Sequence, residues 1–136
     1  MLPLWSTHRI TCHGSKRVLR AKNRGSCSTI CRRSTGAPVL AWASVPVAAF
    51  AYVQGTPAIY PSSSWGHREF CARCGTQICY RQSKDARNVD VNTGSLDDPG
   101  LCPPAMHIYF ADRIAWFDTA DTLPRHPGRK DPGDGA

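Results

Sequence analysis

Phe70-Cys71-Ala72-Arg73-Cys74-Gly75 is the stretch whose reading decides the fold. Two cysteines three positions apart, closed by a glycine, form a metal knuckle. The tight turn aims both thiolates at one ion, and Gly75 lets the backbone turn at little steric cost. A redox pair is the competing reading. Redox C-x-x-C motifs open a helix in a βαβ setting, whereas the flanks here read as strands, so zinc is the expected occupant. A structural zinc takes four ligands, and two more must come from elsewhere in the chain.

Outward from the knuckle the chain reads as β. His67–Phe70 enters the turn and Thr76–Arg81 leaves it, a hairpin with the metal at its tip. Upstream, bulky Leu40 and Trp42 alternate with Ala41 and Ala43 over Val39–Ser44, as on a half-buried strand. Pro46 breaks that run, Ala48–Val53 is a second strand, and Ala58–Tyr60 is a short third. Downstream, Val89 and Val91 flank Asp90 in the strand Asn88–Asn92, Asp97-Asp98-Pro99-Gly100 is a turn, and Met106–Phe110 is the last strand. Trp116-Phe117 is expected to pack back on the sheet. Short strands with turn signals between them predict a small all-β domain.

At 136 residues the chain is long enough for one modest core. Seven cysteines cannot all pair as disulfides, and the front shows no apolar secretory run, so reduced thiols in a cytoplasmic setting are expected. Val39–Val53 is apolar but interrupted by Ser44 and Pro46, and it is too short to span a membrane. The net charge of +7 belongs to the front of the chain. The first 68 residues hold nine Lys or Arg and no acid, while the rest hold eight against ten acids. A solvated leader over residues 1–25 is the expected meaning, with a nucleic-acid patch or a transit segment as alternatives. Basic residues do not interleave with Trp42, Trp65 and Trp116, so a base-stacking platform is not expected. Residues 26–126 are read as the domain, and Pro127–Ala136 as a mobile Gly/Pro-rich tail.

A second constellation is Cys27 and Cys31 ahead of Arg32-Arg33. Adjacent cations favour thiolates, which suits metal binding or nucleophilic sulfur chemistry. They would also hold an anionic substrate. Two buried free cysteines are the plain alternative. Cys79 and Cys102 are read as packing residues, and His107 as a hydrogen-bonded structural histidine.

The run Cys31-Arg32-Arg33-Ser34-Thr35-Gly36-Ala37-Pro38, followed by Gly55-Thr56-Pro57, Arg68-Glu69-Phe70-Cys71-Ala72-Arg73-Cys74-Gly75-Thr76, Tyr80-Arg81, Val89-Asp90-Val91, Ser95-Leu96-Asp97-Asp98-Pro99, His107-Ile108, Trp116 and Asp121-Thr122-Leu123-Pro124-Arg125, resembles the glutathione-dependent formaldehyde-activating enzyme family, which includes centromere protein V. The similarity covers about Cys31–Pro127. It implies a compact β fold round zinc and a carbon–sulfur lyase acting on S-hydroxymethylglutathione, with glutathione as the small-molecule thiol. It also implies two zinc clusters. One is structural, a G-x-C-x-C-G near the domain start joined to the C-x-x-C that here is Cys71 and Cys74. The other is C-H-C-x-x-C followed by R-R.

This chain departs from the second pattern. Cys31 is in place, but Ser26 and Ser28 stand at the two earlier ligand positions and Cys27 stands where the family has histidine. No C-x-C occurs upstream, and Cys12-His13 is the nearest substitute. The break coincides with the acid-free front, which is read as translation from a shifted frame or a miscalled start up to about Ile30. A divergent member without its catalytic zinc is the alternative. The expected site is therefore Cys31 and Cys27 as catalytic thiols, Arg32 and Arg33 on a glutathione carboxylate, and zinc on Cys71, Cys74, Cys31, Cys27 and Cys12. A non-catalytic zinc-stabilised module contacting an anionic partner is the competing function.

Overall fold

The computed structural model describes residues 9–12, in backbone, and 23–129. His13, the rest of the expected leader and the last seven residues of the tail lie outside the described residues, as does the side chain of Cys12.

The fold is mostly β-sheet with one helix. In chain order the elements are β1 (Arg9–Cys12), β2 (Asn23–Ser26), α1 (Thr29–Thr35), β3 (Leu40–Pro46), β4 (Phe50–Gln54), β5 (Ala58–Ser63), β6 (Gly66–Phe70), β7 (Gln77–Gln82), β8 (Asn88–Asn92) and β9 (His107–Ile108). Short 3-10 turns join several of them. Seven strands form one sheet in the order β5-β6-β7-β8-β3-β2-β9, and β1 pairs with β4 in a separate ribbon. Neighbours in the sheet are antiparallel except β2 and β9, which run parallel.

Each strand alternates its side chains between the two faces, and the register makes those faces chemically different. Val91 stands opposite Ala43 and Cys79, Val45 opposite Val89, and Cys79 opposite Glu69. This face carries the core, where Val45, Cys79, Val89 and Val91 pack with Phe50 from the β1–β4 ribbon, with Cys71 and with Ile78 at the register irregularity between β6 and β7. Burying each such aliphatic side chain contributes about 1.5–3 kcal/mol. On the opposite face Ser44 stands against Asp90, Asp90 against Tyr80, and Tyr80 against Arg68. That row is polar, and the Asp90 carboxylate is satisfied on that face. Arg24 Nη2 lies 2.7 Å from Asp90 Oδ1, and Ser44 Oγ donates to the same oxygen.

The strands expected between Val39 and Asn92 are present, and β3 ends at Pro46 as its ring requires. Pro61 is tolerated within β5 because that strand is a sheet edge with a local irregularity. Five expectations need correction. The all-β reading missed α1: the stretch that carries Cys31 is helical, capped by Ser28 Oγ accepting the Cys31 N–H and closed by Gly36 in the left-handed region at φ 72°. Ordered chain starts before residue 26, since β2 sits between β3 and β9. Trp116 does not pack back on the sheet but is 76% exposed, stacked edge-on to Phe117. The strand expected over Met106–Phe110 stops at Ile108 because Tyr109 takes a positive φ of 52°. The expected tail begins as ordered chain, with the carbonyls of Pro127 and Gly128 accepting the N–H groups of Ala111 and Tyr109.

Candidate functional site

The knuckle forms as a tight turn between β6 and β7. Gly75 adopts φ 75° and donates its N–H to the Cys71 carbonyl at 2.8 Å, while Cys71 N–H reaches the Thr76 carbonyl. Cys71 is buried with the core, whereas Cys74 is exposed and its Sγ lies 3.1 Å from Thr76 Oγ1. Two thiols on one turn fit half of a structural zinc shell. Among the described residues, no group of three or more His, Cys, Asp or Glu side chains comes together. Cys12, the third expected ligand, stands opposite Phe50 in the β1–β4 register, and Phe50 packs in the same cluster as Cys71.

The second constellation is arranged differently. Cys31 lies in the first turn of α1, over the polar face of the sheet. The hydroxyl of Ser26 donates to Cys31 Sγ at 3.6 Å, and Arg68 Nη2 donates to it at 3.8 Å. Burial alone would push this thiol up, but hydrogen bonds with Ser28 and Ser26 and the positive charge of Arg68 outweigh it, and the net shift is downward. Arg68 is itself only 2% exposed. Its guanidinium lies over the rings of Tyr80 and Trp42, at 5.0 and 6.0 Å, and Nη1 donates to Gln77 Oε1. It is a buried cation delivered to a thiol by the strand register.

Cys27 and Cys31 are close in sequence but have different surroundings. Cys27 is fully buried, and its charged neighbours are Arg113, Arg32 and Asp112. Desolvation dominates there and raises its pKa. Arg32 turns its donors inward, to the carbonyls of Cys27 and Asp112 and to Thr29 Oγ1, and so ties α1 to the C-terminal segment. Arg33 is exposed on the same helix. A three-thiolate zinc does not fit at Cys31. Serine hydroxyls occupy the two earlier ligand positions, and a guanidinium within 4 Å of the sulfur repels a second cation.

The reading of the sequence missed Arg68 and Ser26 as partners of Cys31. Both residues were in view, Arg68 inside the quoted motif. Nothing in the sequence joins residue 68 to residue 31 until β6 is placed on the sheet. His107 is buried, with Nε2 3.0 Å from Asp121 Oδ2. Asp98 accepts the Gly100 N–H, so that carboxylate is a turn cap.

Residues 8–112 match the sequence pattern of the family described as glutathione-dependent formaldehyde-activating enzyme. The chain belongs to that family. The match takes in the stretch that departs from the motif, and β2 lies inside it. No curated protein matches the chain. A crystal structure of a Rhodobacter sphaeroides protein resembles it with a TM-score of 0.53 and 20% identity, over 67% of this chain and 81% of that one. That likeness concerns the fold. Among the described residues no helix is long and apolar enough to cross a membrane.

Proposed function

We propose that this formaldehyde-activating family member acts on adducts of formaldehyde with a small thiol such as glutathione, as a carbon–sulfur lyase working at Cys31. The observation that carries the reading is the family match over a stretch in which the Cys31 thiol is held by Ser26 and a buried Arg68. In that setting the thiolate is favoured relative to a free cysteine. Exposed Arg33, one residue along the helix, is the cation left for a glutathione carboxylate, since Arg32 is occupied within the protein. Cys71 and Cys74 would supply two donors to a structural zinc and Cys12, on β1, a third, which would pin the β1–β4 ribbon to the β6–β7 hairpin.

The test is NMR exchange spectroscopy on glutathione and formaldehyde with purified protein. Faster interconversion of free thiol and hydroxymethyl adduct than in buffer is expected, and Cys31→Ser should abolish the acceleration. Exchange no faster than in buffer would sink the lyase reading.

A further inference from the structure

Arg68 holds a second, unused donor beside Cys31. Its Nε–H is buried and has no hydrogen-bond partner. In a guanidinium, Nε–H and Nη2–H lie along the same edge and form the fork that grips two acceptors side by side. Nη2 of that edge already points at Cys31 Sγ, 3.8 Å away. Stacking between Tyr80 and Trp42 and the bond to Gln77 hold the plane in place. A buried N–H left without an acceptor is destabilising. The cost is recovered if something attached to the sulfur brings an oxygen there.

We propose that Cys31 is a covalent one-carbon acceptor that needs no metal, with Arg68 Nε–H holding the oxygen of the carbonyl that adds to its sulfur. This rests on the preceding reading for its substrate, an aldehyde of one carbon. The Cys31 sulfur bonds to the carbon, the C=O π pair moves to oxygen, and the thiol proton ends on that oxygen, giving Cys31–S–CH2–OH. No oxidant or reductant is needed. The new oxygen is two bonds from sulfur, at the second position of the guanidinium fork. Ser26 keeps its contact to sulfur throughout. Collapse of the adduct returns formaldehyde for capture by a free thiol.

The experiment is 13C NMR of the full chain with 13C-formaldehyde, without glutathione and with a chelator present. An S–CH2–OH resonance in the wild type that is lost in Cys31→Ser is expected. Arg68→Lys keeps the charge but removes the Nε–H, and should lower adduct occupancy about tenfold, the size of one charge-assisted hydrogen bond. Methylation of Cys31 by iodomethane, which brings no oxygen, should fall less in that variant than formaldehyde occupancy does, because it loses only the Nη2 contact to sulfur. In the wild type the Arg68 Nε–H resonance should move as the adduct forms, a readout that survives even if the lysine variant does not fold. No adduct on Cys31 in chelator, equal occupancy in Arg68→Lys, or a stationary Nε–H signal overturns the proposal. Adduct formation without glutathione exchange would sink the lyase reading alone. Exchange without an adduct would sink this inference alone.

Discussion

Glu69 shows how much a single buried side chain can organise. Its carboxylate accepts from Tyr52 Oη at 2.7 Å, Cys79 Sγ at 3.1 Å and Arg81 Nε at 2.6 Å, with His67 Nε2 at 3.3 Å. Burial would raise its pKa, but the bonds from Cys79, Tyr52 and Arg81 and the Arg81 charge outweigh it, and the net shift is down. The neighbouring thiol of Cys79, fully buried, is pushed up by desolvation and stays protonated as a donor. Replacing Glu69 by Gln keeps the shape but loses the anion, and should cost about 2 kcal/mol in urea unfolding. The depressed folded pKa also fixes a pH dependence. Stability from Glu69 is fully present above its unfolded value of about 4.3 and drains away as pH falls through the folded value. Asp121, held down to about 2 against burial by hydrogen bonds from His107, Leu123 and Thr119, adds a second loss that ends only near pH 2. Thermal melts from pH 6 to pH 2 should show stability falling continuously, and Glu69→Gln should flatten the upper part of that fall.

At the scale of elements, the hairpin and the helix depend on their turn residues. Gly75→Ala forces a Cβ into a left-handed conformation and should destabilise the domain by about 1 kcal/mol. Ser28→Ala removes the cap of α1, again at about 1 kcal/mol, measured by denaturant unfolding. The central strands were readable because β3 and β8 alternate bulky and small or apolar and polar residues, and because Pro46 and Asp98-Pro99-Gly100 punctuate them. The helix was missed although its signals were present, with Ser28 at one end and Gly36 at the other. Seven residues that include Thr29 and Ile30 and bury no side chain offer no apolar periodicity. β2 was missed because Asn23-Arg24-Gly25-Ser26 is polar, and only neighbours on both sides make it a strand. The same limit hid the site. Cys31 could be named from its motif, but the Arg68 beside it is a product of register.

At the scale of the molecule, the two cysteine constellations divide the work. The knuckle belongs to the core face and the Cys31 thiol to the polar face, with the sheet between them. On that division, protein purified without chelator should carry one zinc per chain by elemental analysis. Cys74→Ser should lose it and melt earlier, whereas Cys31→Ser should keep it. Two zincs per chain would mean that Cys31 also ligates metal.

The parallel pairing of β2 with β9 brings Gly25 beside His107 and Ser26 beside Ile108. The antiparallel run β5 to β8 can close through short loops, but β2 and β3 join it only through the long-range pairing of β3 with β8. Closing so long a loop is entropically expensive and tends to come late. Cys31 follows β2 directly and Arg68 lies in the early run. The thiol and its guanidinium therefore meet in their final geometry only once β3 has docked on β8, and the reactive sulfur chemistry waits on that long-range closure.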